Sequence, residues 1–490
     1  MFFKFFPALM SKTLVKSFNA LPRNPKAPSG FVPNEWHFDI RYIQIEPTPS
    51  HVLFLLQPQS KFVHLERLPL GLSPGASGLT FFPETGREAA PELVKGLLHS
   101  FVNNLGLNRP GEKIFGAPWK LSTEDRELAE AVGEEVKRLG VRAEPLWTIG
   151  VSSPRVNGLA QTAFENYFGT LKKSIGINDL SAAAIVAPDS IIFSTFKADG
   201  EPQVCVDMSN LNAENKDVAL AMNYVQLRAA ASPVTELEPN TKRMLEQQQI
   251  HIQEFYLSLD QRTEAIVRAE ADAGDPEALA EYGLRYASHY FVCAVDLPLS
   301  IDRLYLGVAC TRNRTLSRVY FLKALSVPNV TDTLKAMTHG LLIDWYISAS
   351  KESRRARYLY AASHHANISA RLCRLVSPKG APSSPLVLNF MISVFEPCSK
   401  QVPELYYFYK DAVRAMQERA EQMRLGGEKL HIKRMKQPNR YRCATPGCAI
   451  EADTGAKLSQ CVYHFHFLIP VLQSIHNIPY AYIRRWILRS

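Results

Sequence analysis

The chain has 490 residues, of which 46% are hydrophobic and 21% are charged. This length holds two or three domains with sizeable cores, and this composition excludes a predominantly disordered chain. The net charge of +9 is modest for the length, and the sequence has no run of 18 apolar residues. We therefore expect no membrane span, and the charge alone does not indicate nucleic-acid binding.

Residues 1–30 are expected to form a disordered leader. Five Lys or Arg residues precede the first acid, Glu35, and proline and asparagine are frequent from Pro22 to Pro33. A mitochondrial targeting segment is the alternative, because it would also be basic and free of acids. Such segments are, however, richer in serine and arginine than this one.

Five of the eight cysteines are scattered among apolar neighbours. Scattered cysteines of this kind are typical of the reduced core of an intracellular protein. We therefore expect a cytoplasmic or nuclear location and free thiols at Cys205, Cys293, Cys310, Cys373 and Cys398.

Residues 31–215 carry the pattern of an α/β domain, so the fold class expected for the amino-terminal part is α+β. Short apolar runs between turn residues predict strands, and apolar residues at helical spacing predict helices. This order of elements favours one mixed sheet covered by helices. The predicted strands are 51–56, 62–68, 113–119, 141–147 and 189–196, and the predicted helices are 91–102, 122–139 and 162–173.

Residues 216–425 are expected to form a helical domain. Within it, residues 270–370 are similar to degenerate tetratricopeptide-like repeats, because two helix-hairpin patterns recur with 37 residues between Ala324 and Ala361. An irregular helical domain is the alternative. The last helix is predicted from Glu404 to Arg424, ending at Gly426-Gly427.

A basic linker is expected at residues 426–442. Around Lys433-Arg-Met-Lys436 it lacks interleaved aromatic residues that could stack on bases, so we interpret it as a solvated linker rather than as a nucleic-acid-binding segment.

The recognisable chemistry lies near the carboxyl end. Cys443 and Cys448 flank a Pro-Gly turn, which aims two thiolates at one point, and Cys461 and His464 follow. Cysteine thiolates and histidine nitrogens are the ligands that tetrahedral zinc prefers. These residues, from Tyr441 to Cys461, resemble the opening of a MYND zinc finger of the fungal type.

Residues 31–215 also resemble an uncharacterised α/β domain that precedes such fingers in fungal proteins. The features shared are the start at Trp36, the apolar hairpin, and Arg109-Pro110 before a strand. This second resemblance carries no activity over to the chain.

The resemblance implies zinc as the cofactor, with Cys443 and Cys448 as the first ligand pair on one zinc and Cys461 and His464 as the second pair on another. A complete MYND finger holds two zinc ions with eight ligands, and no cysteine follows Cys461. We therefore expect an incomplete finger at 443–464. The alternative is that this segment holds a single zinc ion with four ligands. The tail 465–490 is expected to be aberrant, because it is aromatic and free of acids.

The function expected from these features is that of an intracellular protein-interaction or scaffold protein. MYND fingers typically bind short proline-containing peptides, so the resemblance implies such partners. The alternative is an enzyme with its site in the α/β domain, for which Asp189 and His64 are candidates. A crevice with convergent polar side chains at the strand ends would favour the enzyme, and closed apolar packing would favour the scaffold.

No motif in the sequence identifies a reaction. The stretch from Gly106 to Lys113 lacks the Gly-Lys-Ser/Thr ending of a phosphate loop, and H-E-x-x-H is absent. His364-His365 lies on a predicted helix, where we interpret both rings as packed or at the surface rather than as metal ligands.

Overall fold

A computed structural model describes residues 6–45, 49–71, 78–107, 115–175, 185–194, 221, 224–234, 241–259, 261–287, 313–353, 356–400 and 404–436. The chain divides into two compact units. The first comprises Met1–Glu201, Leu342–Asn367 and Asn389–Lys410. The second comprises Pro202–Leu341, Ile368–Leu388 and Asp411–Ser490.

The first unit contains the sheet. Its elements are α1 (Phe6–Asn19), β1 (Glu35–Ile43), β2 (Ser50–Gln57), β3 (Phe62–Leu68), α2 (Gly86–Val102), β4 (Lys120–Thr123), α3 (Arg126–Arg138), β5 (Gly150–Val151) and α4 (Pro154–Ser174).

Five strands form the sheet in the order β3-β2-β1-β4-β5. Strand β2 is antiparallel to both β1 and β3, whereas β4 is parallel to both β1 and β5. The carboxyl ends of β4 and β5 therefore lie at the same edge of the sheet, and a helix follows each of them. Ligands of open α/β sheets commonly bind at such an edge.

The two faces of β1 differ because the residues of a strand point alternately to opposite sides. Trp36, Phe38 and Ile40 are buried in the main core together with residues of α1, α2 and α3. Polar residues occupy the alternate positions, and the guanidinium of Arg41 lies 4.4 Å from the ring of Phe164 on α4. The sheet is thus covered on both faces, and the α+β class expected from the sequence is confirmed.

Three predicted strands need correction. In 113–119, Gly116 has a φ of +73° and Pro118 has no N–H, so the strand β4 begins only at Lys120. In 141–147, residues Glu144–Leu146 form a 3-10 turn that contains proline. In 189–196, a single β-bridge joins Ser190 to Arg41. The backbone N–H groups of Phe193 and Ser194 donate to the side chain of Asp125 instead of to a neighbouring strand.

The disordered leader also needs correction, because the helix α1 occupies residues Phe6–Asn19. Val15 and Phe18 are buried in the main core, and the ring of Phe18 lies 6.4 Å from that of Phe101 on α2. The absence of acids favoured disorder, but the apolar spacing Leu14, Val15 and Phe18 supplies a buried helical face.

The first unit differs from the predicted range 31–215 by including residues 342–367 and 389–410. Arg357 is buried, and its guanidinium donates to Pro83 O at 2.6 Å and contacts His51 Nε2 at 3.0 Å. The same group lies 4.6 Å from the ring of Phe82. These contacts join residues far apart in sequence, which local sequence patterns do not reveal.

The remaining elements are helical. They are α5 (Thr241–Ser258), α6 (Glu264–Asp272), α7 (Pro276–Ala287), α8 (Arg314–Ser326), α9 (Asp332–Ser353), α10 (Ala356–Val376), α11 (Pro385–Phe390), one π-helical turn (Met391–Phe395), α12 (Glu396–Ser399), α13 (Glu404–Phe408) and α14 (Lys410–Lys436).

Helix α7 begins at an aspartate cap, with Asp275 Oδ1 accepting from Ala278 N at 2.8 Å and Pro276 in the first turn. It packs closely on α8, where Ser317 Oγ donates to Gly283 O at 2.8 Å. In the second unit, Ser369 of α10 donates likewise to Ala336 O of α9 at 2.9 Å. Both bonds fix one helix against the next.

The predicted helix end at Gly426-Gly427 needs correction, because α14 continues to Lys436. Each interior glycine lowers helix stability by about 1 kcal/mol relative to alanine, which the following strong helix formers offset. The amino-terminal part of the expected basic linker is therefore helical, and residues 437–442 lie outside the described part of the chain. In that described part, no helix combines the length and the apolar character needed to cross a membrane.

The close approach of α7 and α8 gives a first prediction. A Cβ added at Gly283 would lie 2.7 Å from Phe321 Cδ1 and 3.1 Å from Ser317 O. Overpacking of this kind costs about 1–3 kcal/mol, which exceeds the gain of about 1 kcal/mol in helix propensity. We expect Gly283→Ala to lower the midpoint of urea denaturation.

The matched control is Gly158→Ala on α4, where a Cβ would have no neighbour within 4 Å. It should raise the free energy of unfolding by roughly 0.5–1 kcal/mol. A rise for Gly283→Ala as well would show that α7 and α8 do not pack as described.

Candidate functional site

The metal ligands expected from the sequence cannot be located in the fold. Cys443, Cys448, Cys461 and His464 all lie outside the described residues. Within residues 6–436, as far as these are described, no group of three or more His, Cys, Asp or Glu side chains is arranged to hold a metal ion.

The two enzymatic candidates lie apart in the first unit. His64 is half-buried on β3, whereas Asp189 is exposed beside Ser190, which bridges to β1. Strand β2 lies between β3 and β1, so the fold does not bring these two residues into one site.

His64 instead belongs to a small cluster with Glu66 and His99. Glu66 Oε2 lies 3.6 Å from His64 Nε2 and 3.0 Å from His99 Nδ1. Burial raises the pKa of Glu66, but its contacts with the two histidines outweigh burial and hold that pKa below its ordinary value. His99 Nε2 lies 2.6 Å from Asn103 Nδ2, so every ring nitrogen of His99 is engaged.

His364 and His365 are both buried on α10, with 5% and 3% of their surface exposed. The ring of His365 stacks on that of Tyr346 at 5.3 Å. Both imidazole rings are therefore packed in the interior. The sequence predicted that they would be either packed or at the surface.

A larger polar arrangement lies on the α4 side of the sheet. We call it the polar layer and define it as His37, Asp39, Arg41, Ser122, Ser152 and Gln161. The first three are alternate residues of β1, and each has 1–3% of its surface exposed. Ser122 belongs to β4, Ser152 follows β5, and Gln161 lies on α4.

One end of the polar layer is a chain of hydroxyl and imidazole groups. Ser152 Oγ lies 3.0 Å from Ser122 Oγ and 2.8 Å from His37 Nδ1. The other ring nitrogen, His37 Nε2, lies 3.5 Å from Asp39 Oδ2. A neutral imidazole protonated on Nε2 would present its Nδ1 lone pair to the Ser152 hydroxyl.

The other end is a buried ion pair. Arg41 donates to Asp39 through Nε at 3.0 Å and through Nη2 at 2.7 Å. Burial raises the pKa of Asp39, but Arg41, and then His37, outweigh burial and keep this pKa below its ordinary value. The carboxylate is thereby kept charged beside the imidazole of His37.

The segment 188–194 packs beside the polar layer. Arg41 Nη1 donates to Pro188 O at 3.1 Å, and Ile191 N donates to Ile40 O at 2.9 Å. Asp125, which follows β4, accepts from the backbone N–H groups of Phe193 at 2.6 Å and Ser194 at 3.1 Å. Buried polar groups therefore lie at the carboxyl end of β4, where Asp125 has 2% of its surface exposed.

Sequence reasoning missed the polar layer, although a signal was present. In Trp36-His-Phe-Asp-Ile-Arg41 polar and apolar residues alternate, which predicts a strand with one polar face. Such a face usually meets water, and only the position of α4 shows that it is buried.

No protein family model, no curated protein and no solved structure matches this chain.

Proposed function

We propose that the chain is an intracellular protein-interaction or scaffold protein whose segment 443–464 holds one zinc ion and binds proline-containing peptides. The observation that carries this proposal is the spacing of Cys443, Cys448, Cys461 and His464. Three thiolates and one imidazole make a complete tetrahedral ligand set for a structural zinc. Peptides are proposed as partners because the segment resembles the opening of a MYND finger.

The described helices support the scaffold part of this proposal. We propose tetratricopeptide-like packing for 270–370, because Gly283 and Ser317 join α7 to α8 as closely packed neighbouring helices. Cys373 and Cys398 are free thiols, and burial raises the pKa of each, so both stay protonated and unreactive at neutral pH. Free thiols are consistent with the cytoplasm or nucleus.

The test is a binding titration of the full chain with fluorescein-labelled proline-containing peptides, followed by anisotropy. We expect at least one peptide to bind with a dissociation constant in the range of about 1–100 μM when zinc is present. Replacing its proline with alanine should weaken binding, and Cys443→Ser should abolish it.

The matched control is Cys398→Ser, which removes a thiol outside the proposed ligand set and should leave binding unchanged. Equal binding by the Cys443→Ser variant, or no binding to any peptide of the set, would contradict the proposed function.

A second function, an enzyme with its site in the first unit, is favoured by one specific observation. Ser122 and Ser152, at the carboxyl ends of β4 and β5, converge on His37, the third residue of β1, and convergent polar side chains at strand ends favour an enzyme. The two functions are compatible, because they use different parts of the chain.

A further inference from the structure

We propose that Ser152 is a catalytic nucleophile, activated by His37 as its general base, and that this pair hydrolyses carboxylic esters. The inference goes beyond peptide binding and gives residues and a reaction class to the enzymatic function proposed second above. It rests on the geometry of the polar layer, and neither candidate residue of the sequence, His64 or Asp189, takes part.

The first ground is the distance between nucleophile and base. Ser152 Oγ lies 2.8 Å from His37 Nδ1, which is within the range of a hydrogen bond that carries a proton. Ser152 Oγ also donates to Ser122 Oγ at 3.0 Å. Rotation of the Ser152 hydroxyl about its Cβ–Oγ bond would turn its proton from Ser122 to the imidazole.

The second ground is the position of Ser152 between a strand and a helix. It directly follows β5 and precedes α4, a helix of 21 residues capped by Ser153. Ser152 is half-buried, so it is partly accessible to solvent. The positive end of the helix dipole would stabilise an oxyanion that forms there.

The third ground is a buried polar atom without a described hydrogen-bond partner, Asn157 Oδ1. Asn157 lies on α4 one turn before Gln161, on the same side of the helix. Its Oδ1 is buried, and no described group donates a hydrogen bond to it. A buried amide without a partner is disfavoured in a purely structural layer, and a bound substrate would supply one.

Asp39 and Arg41 act as positioning residues. Asp39 Oδ2 lies 3.5 Å from His37 Nε2 and would favour the tautomer that leaves Nδ1 as the acceptor. Arg41 holds the Asp39 carboxylate in place through two nitrogens, and Gln161 accepts a hydrogen bond from Arg41 Nη1. The three groups fix the imidazole without touching the reacting atoms.

The reaction balances without any cofactor. The Ser152 proton passes to His37 Nδ1 as Oγ bonds to the carbonyl carbon of the ester. The bond from that carbon to the alkoxy oxygen then breaks, and the imidazolium returns the proton to the leaving alcohol. Water attacks the acyl carbon and gives its proton to His37, which passes it to Ser152 Oγ as the carboxylic acid leaves.

The experiment is labelling of the full chain with a fluorophosphonate probe, which phosphonylates activated serines, followed by mass spectrometry of the labelled peptide. We expect the label on Ser152 and its complete loss in Ser152→Ala. His37→Gln should slow labelling by about 10²–10⁴-fold, the usual contribution of a general base.

Ser153→Asn is the matched control, because it removes the neighbouring exposed hydroxyl but keeps a residue that caps α4 well. It should label at the wild-type rate, and so should Cys443→Ser, which separates this test from that of peptide binding. No label on Ser152, or equal labelling of Ser152→Ala, would overturn the proposal. If His37→Gln proves unfolded by circular dichroism, the comparison of Ser152→Ala with Ser153→Asn still decides it.

Discussion

We expect Asp39→Asn to lower the free energy of unfolding by about 3–5 kcal/mol, because it leaves the Arg41 guanidinium buried without its counter-charge. Arg41 has 2% of its surface exposed, so water cannot replace the lost carboxylate. Denaturation by urea, followed by circular dichroism, measures the change.

The control is the double variant Asp39→Leu with Arg41→Met, which removes both charges and fills their volume. Replacement of a whole buried pair by apolar residues is often neutral, so this variant should be more stable than Asp39→Asn. A loss below 1 kcal/mol for Asp39→Asn would mean that the pair is hydrated and the polar layer open.

The same pair makes stability depend on pH. The pKa of Asp39 is lower in the folded chain than its ordinary value. The stabilisation is therefore fully present above about pH 4, and it is lost as the pH falls towards the folded-state pKa. Asp39→Asn should remove this contribution, so its stability should fall less steeply than that of the wild type as the pH falls below about 4.

The sequence predicted those elements whose signals are local. Strand β3, for example, has the predicted bounds, 62–68. Strand β4 begins later than predicted, because Gly116 and Pro118 interrupt the apolar run that suggested an earlier strand.

Features that depend on distant residues could not be predicted in this way. Arg357 belongs to the first unit through Pro83 and His51, more than 270 residues away in the chain. The polar layer likewise joins His37 to Ser152, which are 115 residues apart. Alternation in β1 indicated a polar face, but only the fold shows which hydroxyl meets the imidazole.

The second prediction with a large expected effect concerns residues 443–464, the proposed zinc-binding segment. Zinc bound by three thiolates and one imidazole would organise residues 443–464, whereas a two-zinc finger would need eight ligands. Binding of metal supplies much of the folding free energy of so small a module. Loss of one thiolate should therefore release the zinc ion and unfold residues 443–464 at the same time.

Replacing Cys443 with serine should abolish zinc binding, and removing zinc from the wild type with a chelator should abolish peptide binding in the same way. The first unit should be unaffected, because its described residues include no group arranged to hold a metal ion. Its stability to urea should be the same with and without the chelator.

The most direct test of the proposed function is the zinc content of the purified 490-residue chain, measured by mass spectrometry after dialysis. We predict about one zinc per wild-type chain, none in Cys443→Ser, and about one in the control Cys398→Ser. A content near two that falls on replacing Cys443 would show a complete finger, and a content near zero in the wild type would show that 443–464 holds no metal. Either result would contradict the single-zinc segment proposed here.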